Sequence, residues 1–437
     1  MAKAREVAMI EMPGVVSEVV RSVGLSAAMR AAGVVTGLLP IPQPVLLVGA
    51  GASARLGEAL AGFGHRKVLI VTDRVVSQLG LARGLIAALA AGGTKHAVFD
   101  AITPDAPVPL IEQGIAFYRR QRCDAIVAFG GGSPMDAAKT IALAVANRKP
   151  PLKLVGYFRG LRAPVPLYAV PTTAGTGSEV TVAAVISDPA RGRKHVIADT
   201  RLVPAMAALD PTLMTGLPTP VTAATGLDAL THAVEAYVSK WATAHSDRMA
   251  LAAVRLIYGN LRVAYRQPRN LVARERMALA ATYAGLAFTR ANVGNVHAIA
   301  HQLGGRYHVP HGLANAILLP HVLRFEAPAV TRRLAALAVH AGVGRAGTRP
   351  SVLAERLVGS IERLNRDLAI PRHVEALRED DIPALAKAAC READTSYPVP
   401  RYMSEADAER LLRAVLPPPA KRRGAPSPSR VTPARTG

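Results

Sequence analysis

Residues 124–146 read DAIVAFGGGSPMDAAKTIALAVA. An apolar run rich in β-branched and aromatic side chains meets three consecutive glycines, and a segment with apolar residues at helical spacing follows. The pattern predicts a buried strand, a tight loop and a helix. Ser133 stands where an N-cap is expected, with Pro134 at the first helical position and Asp136 at the third. The same unit occurs twice upstream: VLLVG (45–49) precedes ARLGEALAGF, and KVLIVTD (67–73) precedes a helix running through GLIAALAAG. Strand, loop and helix in repetition define a parallel sheet with crossover helices.

Past about residue 216 the strand-like runs stop. Amphipathic stretches rich in Ala, Leu and Arg take over, such as AHSDRMALAAVRLIYGNL and VTRRLAALAVHAGV. That half is expected to be all helical. Prolines and Gly216 in LDPTLMTGLPTPVTA interrupt both patterns and mark the boundary. The expected organisation is an N-terminal extension over 1–40, an α/β domain over 41–215, an all-α domain over 216–416, and a disordered Pro-rich basic tail over 417–437.

Bulk properties narrow the function classes. The chain has 437 residues, half of them hydrophobic, which is enough for two sizeable cores. It has no run of about eighteen apolar residues, so no membrane span is expected. Two cysteines, Cys123 and Cys390, cannot build a disulfide framework, and a reducing cytoplasm is the expected location. The first forty residues carry Glu6, Glu11 and Glu18 and lack a compact apolar region, which argues against a signal peptide. A formal charge of +22 invites a nucleic-acid reading. The basic residues are scattered, however, and only 4% of the chain is aromatic, so a solvated Arg-rich surface is expected and no nucleic-acid partner.

Chemistry concentrates in the helical half. Asp228 and His232 lie four apart in GLDALTHAVEAY, His297 and His301 lie four apart in VHAIAHQLGG, and His311 follows in VPHGLANA. Side chains four apart share a helix face, so the pairs could converge on a cation. A single histidine in an apolar helix is ordinarily a packed, hydrogen-bonded one; several with a carboxylate point to a metal site. Three imidazoles and one carboxylate would leave a divalent cation net positive and able to polarise a substrate oxygen.

Two glycine-rich loops compete for a phosphate. Gly49-Ala50-Gly51 follows a strand and opens a helix. So does Gly130-Gly131-Gly132-Ser133, where three glycines let a pyrophosphate approach the backbone and the helix N-terminus. For either loop the plain alternative is a tight strand-to-helix turn. Asp73, ending the KVLIVTD strand, is suited to the ribose hydroxyls of NAD and would repel the 2′-phosphate of NADP. VPTTAGTGSEVT (170–181) adds hydroxyls and glycines suited to a cofactor.

IVTD ending at Asp73, GGGSPMDAAK, VPTTAGTGSEVT, GLDALTHAVEAY and VHAIAHQLGGRYHVPHGLANAILLPHVL resemble, in order, the motifs of the iron-containing (group III) alcohol dehydrogenase family. The resemblance implies a dinucleotide-binding α/β domain followed by an all-α metal-binding domain. It implies metal ligation by Asp228, His232, His297 and His311, with His301 beside nicotinamide and substrate. It also assigns Gly131, Gly132, Ser133 and Asp136 to the pyrophosphate side of NAD, Thr172 and Thr173 to the cofactor loop, and Lys194 to the ribose. The implied metal is Fe2+, with Zn2+ the alternative, and the implied assembly a homodimer or higher homo-oligomer.

The expected activity is interconversion of a small alcohol with its aldehyde or ketone by hydride transfer. A hydroxyacid–oxoacid transhydrogenase is the nearest alternative, and a lyase of the dehydroquinate-synthase type a more distant one. Three positions depart from the family pattern: Asp105 in PDAP where Asn is usual, Arg290, and Asn295. The latter two are expected to alter the substrate pocket.

Overall fold

The computed structural model describes residue 33 and residues 39–418. Most of the expected N-terminal extension and nearly all of the expected basic tail lie outside the described residues. Six strands form one sheet: β1 (Val45–Val48), β2 (Lys67–Asp73), β3 (Lys95–Ile102), β4 (Ala125–Gly130), β6 (Leu167–Pro171) and β9 (Met206–Leu209). Their order is β1-β9-β6-β4-β2-β3, and every pairing is parallel.

The sheet is buried on both faces. Helices α1 (Ala52–Gly62), α2 (Arg74–Gln78) and α3 (Arg83–Ala91) accompany one core around Leu56, Leu85 and Phe129. Helices α4 (Val108–Gln121) and α5 (Gly132–Asn147) accompany the other, around Ile111, Ile126 and Ile141. Two-sided burial explains why β4 is apolar at every position. The chain runs from β2 outward to the edge at β3 and then returns to the other side of β2 at β4. The crevice beyond the carboxyl ends of β2 and β4 is therefore the topological switch point of a doubly wound sheet, where ligands bind. Asp73 ends one of these strands and Gly130 the other.

One sequence expectation needs correction here, and one element of the fold was not anticipated. Helix α5 starts at Gly132 with Gly131 as its N-cap, so Ser133 and Asp136 are the second and fifth helical residues. Ser133 is not the cap because its Oγ accepts the Asp105 N–H (3.0 Å). The α/β half also holds a second, three-stranded sheet, β5 (Gly156–Tyr157), β7 (Ala183–Asp188) and β8 (Arg193–Ala198), in which β7 and β8 form an antiparallel hairpin. β5 has only two residues, β7 alternates buried and half-buried positions and β8 is largely exposed, so they lack the continuous buried runs of the main sheet's inner strands.

From Thr219 onward the described chain forms helices and turns: α6 (Thr219–Val238), α7 (Ala244–Arg266), α8 (Leu271–Ala291), α9 (Asn295–Tyr307), α10 (His311–His340), α11 (Pro350–Asp367), α12 (Ile382–Ser396) and α13 (Glu405–Ala414). They share one core, from Leu227 and Leu230 on α6 to Leu411 and Leu412 on α13. No helix among the described residues is long and apolar enough to cross a membrane.

The loop after β6 joins the two halves through glycines. A Cβ on Gly175 would lie 2.7 Å from Thr225 Cβ on α6, and one on Gly177 would lie 2.6 Å from the Ala281 carbonyl oxygen on α8. Only a bare backbone can approach those helices so closely. Buried Lys139 on α5 secures the same segment, its Nζ donating to Thr181 Oγ1 (2.8 Å), to the Thr181 and Ala183 carbonyls (both 2.9 Å) and to Ser178 Oγ (3.1 Å).

Candidate metal centre and cofactor crevice

Asp228 and His232 project from α6, His297 from α9, and His311 opens α10. Each offers one ligand atom, and these atoms all lie within 4.8 Å of one another. Gly312 permits the convergence, because a Cβ there would sit 2.4 Å from the Ala224 carbonyl oxygen and 3.2 Å from Asp228 Cβ. A larger residue would push His311 away from Asp228.

The donor set fits a divalent cation. Burial and the neighbouring His232 hold the His297 imidazole well below its ordinary value, and burial does the same at His311 against the opposing Asp228. Both rings are thus neutral and have a lone pair to offer. The Asp228 carboxyl is held below its ordinary value despite burial, because three imidazoles and the Asn315 amide surround it. His232 Nδ1 is buried with no hydrogen-bond partner, as expected of an atom whose partner is a cation. Phe288 stacks on the His232 ring at 4.3 Å and walls one side of the cluster.

Outer contacts fix the candidate ligands. Glu235, one turn beyond His232, accepts a hydrogen bond at Oε1 from the Val296 N–H (2.7 Å), and its Oε2 meets His297 Nδ1 in a very short contact. A carboxylate behind a histidine sets the tautomer and aims the other nitrogen at the metal. Asn315 Nδ2 donates to Asp228 Oδ1 (2.7 Å) and lies 3.2 Å from both His297 Nε2 and His311 Nε2. The sequence reading missed both residues, although Glu235 follows His232 by three positions and Asn315 follows His311 by four, within reach on the same helix face.

His301 stands outside the cluster. Its ring stacks on His311 with centroids 5.3 Å apart and meets His297 edge-on at 5.8 Å. Its Nδ1 lies 2.6 Å from Glu392 Oε1 on α12.

The cofactor candidates gather at the switch-point crevice. Thr172 N–H donates to the Gly130 carbonyl (3.0 Å), bringing the β6 loop over the end of β4. A Cβ on Gly131 would lie 3.4 Å from Thr173 Oγ1, and one on Gly132 would lie 2.9 Å from Thr176 Cγ2. Asp73 Oδ1 caps α2 by accepting the Val76 N–H (2.9 Å). Lys194 on β8 reaches Asp105 at 2.6 Å, and Asp105 donates its N–H to Ser133, which links the second sheet to the glycine loop. The departure at Asp105 is thus part of this network, in a left-handed conformation (φ 68°) that Asp tolerates.

Asp136 is engaged by the protein. Its two oxygens accept from Ser178 Oγ (2.9 Å) and the Val185 N–H (3.0 Å), so it positions the loop and β7.

The competing glycine loop is already filled. Ser53 donates its N–H (3.2 Å) and Oγ (2.8 Å) to Asp210, placing a carboxylate at the N-terminus of α1 where an anion would bind. Arg55 closes the loop from the other side, donating to the Val48 and Ala50 carbonyls. The other two departures have partners of their own. Asn295 is fully buried and donates to Glu326 Oε1 (2.7 Å) and the Arg401 carbonyl (2.9 Å). Arg290 lies close enough to His245 to help burial hold that imidazole down.

Comparison with known proteins agrees with this architecture. The "Iron-containing alcohol dehydrogenase" family model matches residues 43–211, and the "Fe-containing alcohol dehydrogenase family, C-terminal" model matches residues 222–416. The chain is 40% identical to a 1,3-propanediol dehydrogenase of Klebsiella pneumoniae over 369 residues, 84% of this chain and 95% of that protein. It is 37% identical to an NAD-dependent methanol dehydrogenase of Bacillus methanolicus over 375 residues, 85% of this chain and 98% of that protein. A crystal structure of a 1,3-propanediol oxidoreductase superposes with a TM-score of 0.84 at 39% identity, covering 87% of this chain and 100% of the other. Matched over both its sheet-based and its helical part, the chain belongs to the iron-containing alcohol dehydrogenase family and is a metal-dependent oxidoreductase of the alcohol dehydrogenase type.

Proposed function

We propose that this alcohol dehydrogenase uses NAD(H) and a divalent cation, Fe2+ in the first place and Zn2+ in the second, to interconvert short primary alcohols or diols with their aldehydes. The observation that carries this reading is spatial. A cluster of three histidines and one carboxylate lies next to a glycine-rich switch-point crevice, and the β6 loop spans from Gly130 to Thr225, one helical turn before Asp228. The short substrate is supported by relatives that act on 1,3-propanediol and methanol.

Asp228, His232, His297 and His311 would hold the cation. Gly131, Gly132, Ser133, Thr172 and Thr173 would receive the pyrophosphate side of NAD, Asp73 its adenosine ribose and Lys194 the ribose near the nicotinamide. When bound, the cation supplies a Lewis acid for the substrate oxygen, and the nicotinamide exchanges hydride with the carbinol carbon. His301 serves as the proton acceptor for the hydroxyl in oxidation and as the donor in reduction, through Nε2, the ring nitrogen left over by Glu392. A homodimer or higher homo-oligomer in the cytoplasm completes the reading.

The decisive test removes one ligand. His311→Ala, purified anaerobically, is expected to bind less than about a tenth of the wild-type metal and to lose turnover of short aldehydes with NADH, since four ligands act as a set. Wild-type turnover in His311→Ala after exhaustive chelation would end the metal assignment. Adding an oxoacid to the NADH-free enzyme with a hydroxyacid separates a dehydrogenase from a transhydrogenase, which alone would turn over without free NAD.

A further inference from the structure

Glu392 on α12 is part-buried and collects three donors. His301 Nδ1 and the Tyr397 hydroxyl each lie 2.6 Å from Oε1, and Gln302 Nε2 donates to Oε2 at 2.7 Å. Gln302 is itself held by the Ala298 carbonyl (3.1 Å). Tyr397, the residue just past α12, touches His301 Nδ1 at 3.4 Å and completes a triangle around the carboxylate. Among the described residues, His301 Nε2 has no protein partner. The carboxylate comes from an element about ninety residues later in the chain, so no local helix chemistry requires it there.

We propose that Glu392 is the positioning residue for His301: it accepts the Nδ1–H, locks the ring in that one tautomer, and presents the Nε2 lone pair to the substrate cleft. Imidazole in water favours the proton on the other nitrogen, so the Nδ1–H form has to be selected by a partner, and a carboxylate bound to that nitrogen does so. Burial alone would push Glu392 up, but the hydrogen bonds it accepts from His301, Tyr397 and Gln302 hold it below the ordinary carboxylate value, so it is anionic and accepts only. Burial and the same carboxylate push the Tyr397 hydroxyl well above its ordinary value, so it remains a donor and does not compete for the Nδ1 proton. Gln302 fixes the second oxygen, leaving the carboxylate no freedom to rotate away. This assignment rests on the proposed role of His301, and its test includes a measurement that does not depend on turnover.

In metal-free protein labelled with 15N-histidine, long-range 1H–15N correlation reports which ring nitrogen of His301 carries the proton, the signal being identified by its absence in His301→Asn. Wild type is expected to show Nδ1–H and an unprotonated Nε2. Glu392→Ala is expected to lose that preference and to lower kcat about 100-fold, with KM, NADH affinity and metal content near wild type. Glu392→Gln keeps one acceptor oxygen for Nδ1–H and is expected to recover kcat to within about tenfold of wild type. A wild-type His301 protonated on Nε2, or a folded, metal-loaded Glu392→Ala with wild-type kcat, would overturn the assignment. The wild-type measurement stands even if Glu392→Ala fails to fold. Undiminished turnover in His301→Ala would instead overturn the role of His301 itself, a different failure from a wrong tautomer.

Discussion

Replacing Gly131 by alanine tests where the cofactor sits with little disturbance of the fold. Gly131 has φ −82° and ψ −160°, which any residue can adopt, and its new Cβ would meet Thr173 Oγ1 at 3.4 Å and Cγ2 at 3.6 Å, which are tolerable contacts. Alanine is a poorer N-cap than glycine by about 0.5–1 kcal/mol, and the stiffer unfolded chain offsets about 0.4–1 kcal/mol. The net change is therefore below about 1 kcal/mol, or roughly 1 °C in melting temperature for a chain of this size. The methyl, however, fills the gap between Gly131 and Thr173 that a pyrophosphate oxygen needs. Losing one hydrogen bond to a charged phosphate costs about 1.5–3 kcal/mol, which weakens NADH binding roughly 10- to 150-fold. Gly51→Ala is the control: φ is 77° there, so a side chain costs about 1–2 kcal/mol of stability while leaving the crevice untouched. Calorimetric titration of NADH into both variants, with thermal unfolding of each, reads the two effects separately. Gly132→Val is a poorer probe, because its Cβ would press on Thr176 Cγ2 at 2.9 Å and mix packing damage with lost binding. If Gly51→Ala loses NADH and Gly131→Ala retains it, the cofactor lies on the first glycine loop and the crevice assignment fails.

Asp73→Gly is expected to weaken NAD and strengthen NADP, measured as the ratio of the two Kd values, and also to lose about 1 kcal/mol of stability because Asp73 caps α2. A wild-type enzyme that prefers NADP would contradict this reading. Glu326 gives a stability signature in pH. Burial, reinforced by nearby Glu235, raises its carboxyl from the ordinary 4.5 to about 8. Between those values the native state holds a proton that the unfolded chain has released, so stability declines as pH climbs from 4.5 to 8. Glu326→Gln mimics the protonated form without titrating, so its melting temperature should match wild type near pH 5 and exceed it by several degrees near pH 8.5; an equal difference at both pH values would refute the raised carboxyl.

Much of the metal cluster was legible in one dimension because helices carry it. The spacing of four in Asp228/His232 puts both residues on one face wherever the helix goes, and an apolar helix that spends polar residues on one face has a reason for them. The glycine loop at 130–132 was legible for a similar reason, since three glycines between a buried strand and a helix mark a backbone that something approaches. Three consecutive glycines already favoured the second of the two loops, but what occupies the first was not legible from the residues. Asp210 and Arg55 bond to that first loop, and Asp210 lies 157 residues from its partner Ser53.

The sequence by itself determined the parallel sheet, the helical second half and the four residues that converge as a candidate metal site, because strand and helix periodicities and i, i+4 neighbours are local consequences of backbone geometry. It also carried the motifs by which family membership could be read. Tertiary structure alone decided that α5 begins at Gly132, that Asp136 turns inward to Ser178 and Val185, that Asp105 bridges Ser133 and Lys194, and that Glu392 stands behind His301. Each of these depends on a partner from a different element, and a side chain's hydrogen-bond partner is chosen by what packing brings within about 3 Å, a distance that separation along the chain does not encode.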